Sequence, residues 1–201
     1  MDSRTIQVRK RFGDEILDVR EFVRPNTLMV RRLYAELRGR SRNRVEYLNK
    51  CWSYVVHRIK YPPGPQSSMD WHGMAAYRNQ ATGAPILQYQ VRDYWNFPSE
   101  TIRDGWGDCD DKAILLVSLL RWEFRSGEVF ASVGRLDGHG HMWVAVRDKG
   151  QWIALETTKP QAAMPELPHY ISSFRFNDKA VIASRAAWHL PDFHTGVLAR
   201  G

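Results

Sequence analysis

Cys109 stands at the head of an apolar run, in the segment GWGDCDDKAILLVSLLRWEF, residues 105–124. Gly105 and Gly107 mark a turn, and Asp108 is a good helix N-cap. Asp111, three residues on, has the spacing of the acidic partner in a capping box. From Ala113 to Leu120 the chain is apolar except for Ser118, and the length of the run selects a helix, buried on most sides, over a strand. A thiol in the first turn of such a helix has chemistry open to it. The macrodipole and the free backbone N–H groups favour an anion there, which lowers a thiol pKa and creates a reactive thiolate. The same N–H groups, that of Cys109 included, can stabilise an oxyanion.

Nucleophilic catalysis also needs a base and a group that orients it. Strands are expected at Glu128–Val133, His141–Arg147 and Gln151–Glu156, the last two joined by the turn signal Asp148-Lys149-Gly150. One register matches the faces of that hairpin: Met142 against Leu155, Val144 against Ile153, Trp143 against Ala154 and Ala145 against Trp152. It sets His141 directly opposite Glu156, with Cβ atoms about 5 Å apart. A carboxylate so placed accepts the imidazole N–H, fixes its tautomer and stabilises the imidazolium. A slip of one residue would carry Glu156 to the other face.

These three segments carry a resemblance. The run DYWNFPSETIRDGWGDCDDKAILLVSLLR, followed by GHGHMWVAV and GQWIALETT, resembles the transglutaminase-like superfamily, nearest its bacterial and phage cysteine-protease branch. The similarity covers about residues 43–158, with the three motifs in the expected order. It implies an α+β fold with a papain-like transglutaminase core, in which a central helix carrying the cysteine packs on an antiparallel β-sheet. It implies Cys109 as nucleophile and His141 as base, with Glu156 where the family usually has Asp, a departure of one methylene. An aromatic or amide upstream of the nucleophile lines the oxyanion site in related enzymes. Trp95 and Trp106 are the candidates here, with core or lid packing as the alternative.

The acids around the thiol conflict with its activation. Asp108, Asp110 and Asp111 would raise its pKa by like-charge repulsion, so something must offset them. One answer is capping of the helix by the carboxylates. The other is a bound cation, and the resemblance implies calcium, whose hard character suits aspartate oxygens. Three acids fall short of the six to eight oxygens that calcium takes, so further ligands would be needed. No cofactor is otherwise required.

The remaining candidates are weaker. His139, beside Gly138 and Gly140, is expected in a loop. A zinc site from Cys109, His139 and His141 has no C-x-x-C or H-E-x-x-H pattern behind it. Cys51 reads as a buried, inert thiol, and His57, His72, His189 and His194 carry no motif. No G-x-S-x-G supports a serine nucleophile.

The elements that must position these groups fit a chain of 201 residues with 43% apolar and 25% charged residues, which reads as one domain with extensions. Eight Trp, eight Tyr and eight Phe exclude disorder as the dominant state, and two Cys exclude a disulfide scaffold. No apolar run reaches the roughly 20 residues of a membrane helix, and no signal-peptide core opens the chain, so a cytoplasmic protein is expected. Residues 1–42 read as an N-terminal arm and helix, 43–160 as the catalytic core and 161–201 as a C-terminal extension packed on it. In the arm, Thr5–Val8 and Ile16–Val23 alternate weakly, and Asn26 caps a helix through Leu28, Leu33 and Leu37 that stops at Gly39. A second helix carries a stripe of Val45, Leu48, Trp52, Val55 and Ile59, ended by Pro62. Residues 61–100 form an aromatic, mostly irregular stretch expected to shape a substrate groove. Tyr170–Phe176 and Ala180–Ser184 suggest a second hairpin, and the tail from Trp188 a peripheral wrap.

The net charge of +7 is concentrated in Arg31, Arg32, Arg38, Arg40, Arg42 and Arg44, which read either as a solvated helix face or as a docking patch for nucleic acid or another polyanion. The expected activity is cysteine-dependent acyl transfer on a protein or peptide amide through a thioester, most naturally hydrolysis. A transamidase of the same mechanism and a non-catalytic binding module of the same fold are the alternatives.

Overall fold

Helices form where the sequence offers an apolar stripe and a cap, strands where β-branched and aromatic residues alternate. A computed structural model of the chain describes residues 5–11, 15–61, 94–136, 139–148, 150–158, 164–165, 170–183 and 198–200. The arm forms β1 (Thr5–Lys10) and β2 (Ile16–Asp18), which pair antiparallel. The expected strand through Val23 stops at Asp18. There the Asp18 carboxylate accepts the Arg20 N–H while Glu21 accepts the Asp18 N–H, a capping box that starts a 3-10 turn at Val19–Phe22.

Helix α1 (Leu28–Gly39) turns Val30, Leu33 and Leu37 inward; its N-cap is Thr27 in place of the expected Asn26. Helix α2 (Arg44–Arg58) is capped by Asn43, whose side chain accepts the Glu46 N–H. Its buried face is Tyr47, Cys51 and Val55, whereas Val45, expected in the stripe, is 62% exposed. Tyr47 takes the inward position because its ring is large and its hydroxyl finds a partner, donating to the Leu119 carbonyl at 2.7 Å. Beyond the short β3 (Tyr94–Trp95), parallel to β1, come α3 (Pro98–Asp104) and α4 (Cys109–Leu120).

Six strands build the main sheet: β4 (Val129–Leu136), β5 (His139–Asp148), β6 (Gln151–Leu155), β7 (Met164–Pro165), β8 (Tyr170–Phe176) and β9 (Val181–Ala183). Their order is β7-β6-β5-β4-β8-β9, and every pairing is antiparallel. A last strand, β10 (Leu198–Arg200), pairs with β1. The β8–β9 hairpin turns on Asn177, whose side-chain oxygen accepts the N–H groups of Lys179 and Ala180. Helix α4 lies on β4 and β5, with α1, α2 and α3 against its other sides, and every residue from Asp110 to Leu120 is buried. The fold is therefore α+β, with the cysteine-bearing helix at its centre on an antiparallel sheet.

The β5–β6 register differs from the expected one by two residues. Val144 faces Leu155, Ala145 faces Ala154 and Arg147 faces Trp152. Asp148 pairs with Gln151, and Gly150 supplies the positive φ (86°) that so tight a connection needs. A shift of two keeps every side chain on its face. His139, expected in a loop, is the first residue of β5, paired with Leu136.

Trp71, Tyr77 and Tyr89 of the aromatic stretch, Trp188 of the tail, and His72, His189 and His194 lie outside the described residues. Among the described residues, no helix is long and apolar enough to cross a membrane. Of the arginine cluster, Arg38 pairs with Glu123, Arg40 with Glu36 and Arg44 with Glu128.

Candidate active site

His141 and Glu156 meet at 2.8 Å, Nε2 to Oε2. They are not directly opposed: Glu156 follows the end of β6, and the register places it diagonally from His141. A diagonal neighbour is within reach of a long side chain, and the extra methylene of Glu provides that reach. The carboxylate is 1% exposed and fully employed, its other oxygen accepting both the N–H and the hydroxyl of Thr158 at 2.7 Å each. Its backbone carbonyl accepts the Trp52 indole N–H at 2.7 Å, which ties it to α2. Burial opposes its charge, but the His141 hydrogen bond and charge together with the two Thr158 donors outweigh burial and hold the carboxyl down at about 2. The imidazole stacks on Trp143 and keeps an exposed edge.

Cys109 is the first residue of α4 and is half-buried. The helix crosses β5, the strand that carries His141. The thiol lies 3.6 Å from Asp110 Oδ1, as a donor to that carboxylate. The turn before it is tight. A Cβ on Gly107 would meet the Asp111 Cβ at 2.5 Å, so only glycine admits this approach. Backbone bonds from Lys60 N–H to the Gly105 carbonyl and from Gly107 N–H to the Lys60 carbonyl fix the same turn against the end of α2. Lys112, one turn along α4, is buried and donates to the Ile59 carbonyl at 2.9 Å. Burial pulls its ammonium down to about 8, against the charge of Glu156, which acts the other way. Cys51, as expected, is buried among apolar side chains, and burial pushes its thiol up to about 12.

The aspartates around Cys109 do converge. Asp108, Asp110 and Asp111 are buried and offer oxygens within 4.8 Å of one another. Asp108 occupies the N-cap position, yet its side chain makes no capping bond, contrary to expectation. It turns instead to Arg11, just after β1, whose guanidinium donates to Asp108 Oδ2 at 2.8 Å and sits 3.1 Å from Asp111 Oδ2. Asp111 accepts the Asn96 N–H at 2.7 Å and its side-chain amide at 3.2 Å. Burial drives the Asp111 carboxyl well above the usual range, reinforced by the Asp108 charge, while the Arg11 charge and the Asn96 N–H oppose the rise. Arg11, against its own burial, is held more firmly protonated by Asp111, Asp108 and Asp110.

With the Arg11 guanidinium in place, the three aspartates do not by themselves make a calcium site. Calcium takes six to eight oxygens. Here both Asp111 oxygens and one Asp108 oxygen are already engaged by N–H donors, and a guanidinium stands 2.8 Å from the cluster. Among the described residues this is the one group of His, Cys, Asp or Glu close enough to share a metal; Cys109, His139 and His141 do not form another.

Trp95 is a core residue. It has no exposed surface, stacks on Phe176 at 5.3 Å and meets Phe22 edge-on, so its ring lines no groove. Trp106 is half-buried in the turn before the cysteine, under the Arg11 guanidinium at 5.5 Å. Beside His141 opens a cleft of about 360 Å³ lined by Tyr61, Leu136, His139, Gly140, His141 and Thr158.

Three solved structures have a partly similar chain path. All are of LapG from Legionella pneumophila: one after EGTA treatment (17% identity, TM-score 0.43, covering 77% of this chain and 85% of that one), one without stated treatment (17%, 0.43, 78% and 92%) and one with calcium bound (18%, 0.41, 76% and 87%). No protein-family model and no curated protein matches the sequence. Likeness of this degree assigns no residue a role, which leaves chemistry to the residues themselves.

Proposed function

We propose that this protein is a cysteine-dependent acyl transferase of the transglutaminase-like type, acting on protein or peptide amides and most naturally hydrolysing them. The observation that carries the reading is the buried, fully hydrogen-bonded Glu156 holding the accessible His141 on the strand that α4 crosses. A carboxylate held against an imidazole in this way fixes its tautomer and stabilises the imidazolium.

In this reading His141 takes the Cys109 proton and the sulfur attacks the amide carbonyl. The N–H groups of the first turn of α4, which Asp108 does not cap, receive the oxyanion. Collapse of the tetrahedral intermediate breaks the C–N bond, and His141 returns its proton to the leaving amine, leaving a thioester on Cys109. Water, activated by the neutral imidazole, releases the acid; a primary amine in place of water makes the same chemistry a transamidation. The cleft beside His141 takes the substrate chain.

Alkylation at pH 6, read by peptide mass mapping, tests the proposal. An ordinary thiol is under about 1% thiolate there. Selective modification of Cys109 over Cys51, lost in His141→Ala, supports it. Slow modification of Cys109, unaffected by His141→Ala, overturns it in favour of a non-catalytic module.

A further inference from the structure

The acidic cluster beside Cys109 carries up to three negative charges in a buried place, and among the described residues Arg11, from the N-terminal arm, reaches it with opposite charge. Its side chain is 4% exposed. It spans Asp108 and Asp111 and lies over Trp106, so it touches the last residue before the nucleophile, the third residue of the nucleophile's helix and the turn between α3 and α4. The arm is fixed there by backbone as well: β1 runs parallel to β3, and the Arg11 N–H donates to the Trp95 carbonyl at 2.9 Å.

We infer that Arg11 is the built-in cation of this cluster. It neutralises the aspartates and holds the Cys109 turn in place without calcium, and it makes the N-terminal arm part of the site. A guanidinium suits the place: it is planar, permanently charged and able to donate to two carboxylates at once. An arm that supplied only a β-strand would need no buried charge at this position, and an acidic cluster built for a dication would not aim an arginine into its centre. Arg11 is a positioning residue, acting on Cys109 through Asp108 and Asp111. The inference concerns the site proposed above and rests on that reading only for its consequence at the thiol.

The test uses the full chain, wild type and the variants Arg11→Gln and Arg11→Lys, melted in EGTA and in millimolar calcium chloride, with Cys109 alkylation followed in parallel. The wild-type melting temperature is expected to be the same in both solutions. Arg11→Gln breaks a buried ion pair, so its melting temperature should fall by roughly 10 °C in EGTA and recover in part with calcium, because the vacated cluster then accepts a dication. Arg11→Lys should retain most of the stability with little calcium response. A wild-type melting temperature that rises several degrees with calcium overturns the inference. So does Arg11→Gln that melts like wild type, or that falls without any calcium response, since either leaves Arg11 as packing alone. If Arg11→Gln does not fold, the double variant Arg11→Gln/Asp108→Asn replaces it, and restored folding in EGTA supports charge neutralisation while continued failure opposes it. The melting readouts need no activity. An inert Cys109 would sink the acyl-transfer reading and leave the role of Arg11 decided by calcium.

Discussion

His141 and Glu156 meet across a diagonal of the β5–β6 hairpin, 2.8 Å apart, because the longer side chain of Glu156 spans an offset that direct cross-strand pairing would not leave. Shortening Glu156 to Asp removes about 1.5 Å of chain and should break the contact while keeping the charge. Glu156→Asp and Glu156→Gln are both expected to slow Cys109 alkylation at pH 6 and to lower turnover. Removing the base itself in His141→Ala should cost about 10²–10⁴-fold in kcat. Glu156→Asp with wild-type reactivity would show that the pair does not act through this contact.

The same pair should be visible in stability. Glu156 titrates at about 2 in the folded chain against an ordinary 4.5. A depressed carboxyl contributes stability that is complete above its unfolded pKa and is lost as pH falls toward the folded one. The contribution is thus present at pH 6, declines below about pH 4.5 and is gone below about pH 2. Urea unfolding of wild type and Glu156→Gln at pH 6 and pH 3.5 isolates it, and the gap between them should narrow by about 1.4 kcal/mol. A gap independent of pH would mean that the carboxylate is not held ionised by its neighbours.

The two thiols should behave oppositely. Cys51 is buried in α2 and its pKa is pushed up to about 12, so it should resist alkylation in the folded protein at any pH up to about 9. It should become reactive only on unfolding. Cys109 is half-buried at a helix start and should be modified in the native state. Alkylation of both at the same rate without denaturant would indicate that the core around Tyr47 and Val55 opens freely.

Much of this arrangement is legible in the chain. The Cys109 helix is announced by an apolar run broken only by Ser118, and the three central strands by their composition, so the elements, and a His and a Glu on one face of a hairpin, follow from local pattern. The register does not, because a two-residue turn can be centred on Asp148-Lys149 or on Lys149-Gly150, and the local signal allows either. Parity survives a slip of two, which is why His141 and Glu156 still meet. Trp95 shows a different limit: an aromatic before the nucleophile looks the same whether its ring faces a groove or, as here, stacks on Phe176. Arg11 carries no short-range signal at all. Its partner Asp108 is 97 positions away, and among the many basic residues of the arm nothing marks the one that is buried.

Gly107 offers a test of how closely the nucleophile's turn must be packed. A methyl group there would lie 2.5 Å from the Asp111 Cβ and 3.1 Å from one of its carboxylate oxygens. Because Asp111 is fully buried and held by Asn96 and Arg11, it has nowhere to retreat. Gly107→Ala should therefore shift the first turn of α4 rather than a side chain tip, at a cost of about 1–3 kcal/mol. Cys109 sits on that turn, so its alkylation at pH 6 should slow along with the loss of stability. Gly39→Ala, at a position where an added Cβ meets nothing, serves as the control and should leave reactivity unchanged. If Gly107→Ala lowered the melting temperature but left Cys109 as reactive as before, the placement of the thiol would not depend on the Asp111 contact, and the packing of this turn would matter for stability alone.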